Sequence, residues 1–401
     1  MTAGGEPGPG EGVTGGRVPL AVICREWLRI GVIGFGGPPA HISLLRRLCV
    51  DEKRWISANE FEHAIAATNL LPGPASTQLA IFCAWRLRRT AGAVLGGLCF
   101  IVPGLIMILA LSVLFFGENP PLWVRGAAAG AGAAVAAVAV DAATRLMPPS
   151  WRRVRSSSAR RRRWVAYLVV GGAAAATVGP YLVLVLLACG LIELGVGRAA
   201  HPGTGTALPS LGLPVLAAAV PAAGGLAALA WVAFKVGALS YGGGFVIIPL
   251  MQADVVNHYH WMTSGQFLNA VALGQVTPGP VVQTVAAVGY AVDGIGGGLL
   301  AAAVAFAPSF AFVLAGAPHF DRLRTSRPAQ DFLSGAGPAA IGAIAGSAIP
   351  LGLALSHRWQ LPVLAGAAVW LLAARRSTVS ALLGAGAIGV IVALVGLPVG
   401  S

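Results

Sequence analysis

Two short strings, 206 residues apart, carry the residue types best suited to chemistry in this chain. Leu71-Pro72-Gly73-Pro74-Ala75-Ser76-Thr77-Gln78 and Thr277-Pro278-Gly279-Pro280-Val281-Val282-Gln283-Thr284 each break an apolar stretch with Pro-Gly-Pro. The first proline ends the helix before it, the glycine permits a turn, and the second proline suits the first position of a new helix. A helix starting at Pro74 would direct the free N–H groups of Ala75, Ser76 and Thr77 into its surroundings. The hydroxyls of Ser76 and Thr77 and the amide of Gln78 would add donors. The second string offers Thr277, the backbone around Gly279 and after Pro280, Gln283 and Thr284. A helix N-terminus carries about half a positive charge and binds anions. Two further breaks, Gly36-Gly37-Pro38 and Gly242-Gly243-Gly244, would open two more helix starts, with His41 just inside the first. The chemistry of such a set is recognition of an anion by backbone and neutral donors. The plainer reading is packing glycines and helix kinks.

Charged residues sharpen the choice. Arg29 and Lys235 stand 206 apart, each inside an apolar run and ahead of its glycine break. A charge at the membrane centre costs about 2.5–3.5 kcal/mol on insertion scales. Two readings stay open: a pair of fixed cations flanking a divalent anion, or two side chains that snorkel to an interface. The acids in or near apolar runs are Glu26, Asp141, Glu193 and Asp293. Glu26 and Asp141 are the candidates for carrying a proton, although Glu26 lies three residues before Arg29 and can pair with it. Glu193, near a helix end, reads as structural. There is no HExxH string, Cys/His cluster, Walker A loop or nucleophile triad, so no catalytic residue, metal or cofactor is expected and an enzyme is not supported. The five cysteines are scattered and read as small hydrophobes.

The elements that must position these residues follow from composition. Of 401 residues, 56% are hydrophobic and 10% charged, with a mean hydropathy of +0.78. Soluble domains carry about 25% charged residues, so a polytopic membrane protein is expected. The apolar runs are long and do not alternate, which excludes an outer-membrane barrel. The net charge of +13 lies mostly in short loops between apolar runs, the pattern that sets membrane orientation and not that of a nucleic-acid partner. Helical segments are expected at 20–36 with a shorter continuation to 48, then 60–71, 74–87, 91–116, 122–147, 165–178 and 180–197. A second series is expected at 224–242, 245–252, 266–277, 280–291, 296–317, 331–355, 360–374 and 379–398. The fold class is therefore all-α, with about 12–13 membrane segments. Residues 1–19 read as a disordered tail without the features of a signal peptide. Residues 20–198 form a first repeat, 199–223 a connector, and 224–399 a second repeat.

An offset of 206 maps Gly36-Gly37 onto Gly242-Gly243, Trp55 onto Trp261, Phe61 onto Phe267, and one Pro-Gly-Pro onto the other. Basic residues alternate between the halves. Arg46, Arg47, Lys53 and Arg54 have no counterpart at 252–260, and the seven arginines at 148–164 face only Arg358. Conversely, 117–121 and the turn near Gly179 lack basic residues, while their counterparts hold Arg322, Arg324 and Arg327, and Arg375 and Arg376. Basic loops stay in the cytoplasm, so the halves are expected to be inverted relative to each other, the plan of many secondary transporters. The connector then crosses the membrane once, or one span is miscounted. The pieces beside each Pro-Gly-Pro, about 12 residues or about 18 Å, are too short to span. Each pair is expected to form a re-entrant hairpin or broken helix with its tip at mid-membrane.

The strings FGGPPAHISLL (35–45), LLPGPASTQLAIF (70–82), SYGGGFVIIPLM (240–251) and TPGPVVQTVAAVGY (277–290) resemble the signature segments of the chromate ion transporter family. Gln252-Ala253-Asp254 departs from a more acidic family pattern. The resemblance covers about 20–400. It implies a bacterial inner-membrane protein of two homologous halves that exports chromate, a tetrahedral dianion, and confers resistance, with sulfate as competitor. The expected mechanism is alternating access in a secondary transporter. A carrier of sulfate or another oxyanion and an anion channel are the alternatives, and uniport, proton coupling and anion exchange all remain open as the drive. Expected partners are the oxyanion and membrane lipid. The small-residue face at 126–143 serves either a homodimer or packing inside one chain.

Overall fold

Helix starts and stops fall where the punctuation residues put them. The computed structural model describes residues 18–117, 119–155, 157–177, 181–200, 224–240, 245–320 and 326–399. The expectations for the N-terminal tail up to 17, most of the connector, Gly242 to Gly244, Arg322 and Arg324 lie outside the described residues. Among the described residues there are fourteen α-helices.

In the first half, α1 (Leu20–Ile33) stops at Gly34 and α2 (Pro38–Arg46) follows, running into one π-helical turn, Arg47–Glu52. The start of α3 (Ala58–Thr68) is capped by Ser57, whose Oγ accepts the Glu60 N–H. Helix α4 (Ala75–Phe116) is broken at Arg88 and Arg89, and α5 (Leu122–Val154), α6 (Ser158–Thr177) and α7 (Leu182–Ala200) complete the half. The second half runs α8 (Leu226–Leu239), α9 (Ile247–Gln252) with a π-helical turn Ala253–His258, and α10 (Ser264–Val276), which opens with a Thr263/Gln266 capping box. A 3-10 turn, Val281–Gln283, leads into α11 (Thr284–Gly316), broken at Asp293 and Gly294. Helices α12 (Arg327–Leu353), α13 (Gln360–Ala368) and α14 (Thr378–Leu394) follow. Five described segments, 75–116, 122–154, 182–199, 281–316 and 327–353, are long and apolar enough to cross a bilayer. The protein is an all-α, multi-pass membrane protein.

The pieces expected at 74–87 and 91–116 meet at the break of α4, and those at 280–291 and 296–317 at the break of α11, as expected. One stretch differs from the sequence reading. The arginine-rich stretch at 148–164 is mostly helix, because α5 continues through Val154 and α6 begins at Ser158. Hydropathy falls where the apolar stripe ends, but a helix can run on into solvent on its arginine stems. Trp164 ties the two extensions together: its Nε1 donates to Ser150 Oγ at 2.9 Å and its ring meets Trp151 edge-on at 4.9 Å.

The two halves repeat in backbone detail. Arg54 (φ 50°) and His260 (φ 53°) are both left-handed, 206 residues apart. The bond from Trp55 N–H to Cys49 O at 2.7 Å has its mate in Trp261 N–H to Val255 O at 2.9 Å. After the second Pro-Gly-Pro the offset becomes 205, because one residue fewer separates Pro280 from Gln283 than Pro74 from Gln78. The helix breaks at 88–89 and 293–294, and Pro103 and Pro308, all match at 205.

Contacts at one end of the first half trace the path of the chain. Arg88 Nη1 donates to Val18 O at 3.2 Å, Arg46 pairs with Glu62, and Arg86 pairs with Glu60. The start of α1, the end of α2, the start of α3 and the break of α4 therefore share an end, so α1–α2 and α3–α4 each enter and return. Across the halves, the long segments of α4 and α11 run antiparallel: Gly97 lies against Phe310 and Gly298 against Leu109. Helices α5 and α14 do likewise, with Gly126 on Gly389 and Gly130 on Ala385. The small-residue face of α5 thus packs within the chain.

Candidate anion site at the two Pro-Gly-Pro turns

Each tip is docked on the opposite half. Gly73 (φ +117°) and Gly279 (φ +98°) take a left-handed turn that side-chain-bearing residues disfavour. A Cβ at Gly73 would stand 3.3 Å from Gly237 O on α8 and 3.4 Å from Ser309 Oγ on α11. Reciprocally, Gly279 N–H donates to Gly34 O at 3.0 Å, and a Cβ at Gly104 on α4 would lie 2.1 Å from Pro278 O. Gly104 and Ser309 are mates at the 205 offset. The equivalent glutamines hold both tips: Gln78 Nε2 donates to Pro72 O at 2.6 Å, and Gln283 Nε2 to Ile101 O at 2.7 Å.

A set of buried polar atoms on or next to these elements has no hydrogen-bond partner: Thr77 Oγ1, Ser240 Oγ, Gln275 Nε2 and Ser309 Oγ, which can donate, and Gln78 Oε1 and Gln283 Oε1, which only accept. Each such group costs about 1–3 kcal/mol in a dry interior. A concentration of them where two tips meet two helices marks a place for a polar ligand. Ser240, Gln275 and Ser309 escaped the sequence reading. Ser309 follows Pro308, the mate of Pro103, and that correspondence was the available signal.

The helix starts differ from expectation in what they offer. Thr77 N–H and Gln78 N–H both close on Pro74 O, at 2.9 and 3.1 Å, so the open amides of α4 are those of Ala75 and Ser76. Helix α2 has none to give at its first two positions, which are Pro38 and Pro39. Its next amides, on Ala40 and His41, close on Gly37 O. Gly36 and Gly37 therefore shape a turn without creating an anion-binding helix start. Thr277 and Thr284 direct their hydroxyl hydrogens into their own turns, to Leu273 O at 2.9 Å and Val281 O at 2.8 Å. His41 is wholly buried. Its Nε2 lies 2.9 Å from Gly34 O, so this nitrogen carries the hydrogen, and Nδ1, 3.3 Å from Ser76 Oγ, accepts the serine hydroxyl. The ring thereby ties the end of α1 to the start of α4.

The two matched cations part company. The Arg29 side chain is 61% exposed and stands 3.6 Å from Glu26, which also pairs with Arg25 at 2.9 Å. Arg29 is not brought to the tips. Lys235 is buried, its side chain 9% exposed, with Nζ 2.6 Å from Asp254 Oδ2. The position matching Asp254 in the first half is Leu48, so this pair has no mate. Asp141 is buried against Arg145 at 2.8 Å, within α5. Glu193 is held by a two-pronged Arg163 contact at 2.7 and 2.8 Å and by Tyr167 Oη at 3.0 Å, the structural role its position indicated. A cavity of about 360 Å³ opens at the start of α10, lined by Asn119, Arg125, Gln266 and Asn269. It lies a helix length, about 20 Å, from the tip that follows Val276. None of the unpartnered atoms named above lines this cavity.

The model of the chromate transporter family matches residues 21–194 and 227–390. The chain belongs to the chromate transporter family. Three relatives are similar over most of their length: the chromate transport protein of Cupriavidus metallidurans, 32% identical over 83% of this chain and 82% of that one, the probable chromate transport protein of Synechococcus elongatus, 30% identical over 84% and 86%, and the chromate transport protein of Pseudomonas aeruginosa, 30% identical over 84% and 82%. No solved structure matches the chain. Both tips of this chromate transporter family member, with His41, Gln78, Lys235, Asp254 and Gln283, fall inside the two matched segments.

Proposed function

We propose that the protein exports chromate across the bacterial cytoplasmic membrane as a secondary transporter, by alternating access of two oppositely oriented halves, and so confers resistance. The observation that carries this reading is the reciprocal docking of the two Pro-Gly-Pro tips around buried, unpartnered polar atoms. The names of the relatives supply the substrate. A tetrahedral dianion needs donors from several directions. The amides of Ala75 and Ser76 on one tip and of Val281 and Val282 on the other, with the hydroxyls of Thr77 and Ser309, come from both halves. The second amide hydrogens of Gln78 and Gln283 complete the set. Because each tip rests on the other half's long helix, rocking one half against the other shifts both tips together. That motion exposes the site to one side and then the other.

The membrane potential favours this direction. With the inside negative, each net negative charge moved outward gains about 2.3 kcal/mol at about 100 mV, so a dianion moving alone gains about 4.6 kcal/mol. The test is uptake of radiolabelled chromate by everted vesicles, with sulfate as competitor and with the potential collapsed. The expected result is accumulation that sulfate suppresses and that fails without the potential. Vesicles that accumulate no more chromate than those lacking the protein would refute the proposal.

A further inference from the structure

The helix that backs the first tip also carries a buried ion pair. Lys235 lies on α8 two residues before Gly237, within one turn of the backbone that meets Gly73 but on another face of the helix from the Gly237 surface that packs on Ala305 O of α11. Its ammonium is occupied by Asp254, which is 2% exposed and reaches across from the π-helical turn after α9. Only one carboxylate oxygen is used: Asp254 Oδ1 is buried with no hydrogen-bond partner. A permanent structural bridge in a dry interior is normally satisfied on both oxygens, since a half-bonded carboxylate carries an uncompensated desolvation penalty.

We propose that Asp254 is a proton-binding site coupled to the anion: a proton adds to Oδ1, the neutral carboxyl releases the Lys235 ammonium, and the unpaired positive charge, on the helix that backs the first tip, then draws the oxyanion to that tip. The proton and the anion travel in the same direction, so the coupled cycle moves one net negative charge outward, half the charge of uncoupled export, and draws half as much from the membrane potential; the empty carrier returns with the Lys235–Asp254 pair restored. The step balances, because one proton converts a carboxylate to a carboxyl and the Lys235 charge is offset by the carboxylate before it and by the oxyanion after it. The groups that bear on Asp254 are few. His258 and Tyr259 lie on its own turn and the turn after, and Lys235 faces it from α8. Helix α10, packed on this turn, has no titratable side chain, and α12, packed on α9, has Arg327 and Asp331 in its first turns, where Asp331 faces Gly197 of α7. The arrangement exists in one half only, so one proton is expected per cycle.

This inference rests on chromate transport by this chain, and its test separates the two. The full-length protein is placed in proteoliposomes with a trapped pH-sensitive dye, the potential is clamped at zero, and a chromate gradient is applied at alkaline pH, where chromate is a dianion. The wild type is expected to move protons with chromate, and its apparent affinity to fall by up to about tenfold per pH unit. Asp254→Asn, which leaves Lys235 an acceptor but no charge to pair with, should carry chromate with no dye signal and a flat pH profile. Asp254→Glu should keep the signal. Chromate flux in the wild type without proton movement would overturn the inference and leave the transport reading intact. The same holds if the signal survives in Asp254→Asn or is lost in a membrane-inserted Asp254→Glu. Absence of wild-type chromate flux would overturn the transport reading and this inference with it.

Discussion

A single methyl group at position 104 tests whether the second tip must sit against α4. In Gly104→Ala the new Cβ would lie 2.1 Å from Pro278 O and 2.3 Å from Gln283 Oε1. Ordinary carbon–oxygen contact is about 3.3 Å, so the turn must retreat by about 1 Å. Pro278 O is backbone between two prolines and yields poorly. Overpacking of this kind costs about 1–3 kcal/mol, and Gln283 leaving Ile101 O adds about 1 kcal/mol for the lost bond. Against this stands the helix preference of alanine over glycine, about 1 kcal/mol. The net is a destabilisation of about 1–3 kcal/mol, concentrated at the site. Gly366→Ala is the matched control, because nothing lies within 4 Å of its Cβ position and only the helix gain remains. Thermal midpoints in detergent and chromate flux in vesicles read both. Gly104→Ala should lower the midpoint and abolish flux, while Gly366→Ala should raise or preserve both. Wild-type flux and midpoint in Gly104→Ala would refute the docking of the tip on α4.

Other expectations follow from the same contacts. Arg29→Ala should leave flux within twofold of wild type and change stability by less than about 1 kcal/mol, since the residue is exposed and its pair is long; loss of flux would return Arg29 to the site. Arg163→Ala should destabilise the fold by about 1–3 kcal/mol for a partly exposed pair, read as a lower thermal midpoint, without altering the chromate affinity of the folded fraction. In a cysteine-free background, impermeant thiol reagents should label single cysteines placed at 46–54 and at 252–260 from opposite sides of the membrane. Labelling from one side would end the inverted arrangement.

Much of this architecture could be read from punctuation. The Pro-Gly-Pro turns are local features whose physics acts over a few residues, and the 206-residue offset matches α1 to α4 with α8 to α11. What escaped the sequence depended on neighbours far along the chain or on an overlooked local rule. Asp254 reaches Lys235 only because α8 and α9 fold back on each other, which no helical spacing announces. Ser309 comes beside Gly73 because α11 packs antiparallel on α4, a contact between residues more than 200 positions apart. The prolines at 38 and 39 were visible, and their missing N–H groups already removed α2 from the set of anion-binding starts. Arg29 and Lys235 share an offset but not an environment: the first half offers Leu48 where the second offers Asp254, so one cation turns outward and the other is drawn in.

The central claim is that the two tips enclose the anion together. Locating chromium by its anomalous scattering in crystals of the protein with chromate tests it most directly. The account predicts one peak between residues 72–78 and 278–284, within bonding reach of Ser309. A peak in the cavity beside Arg125, with none at the tips, would contradict it.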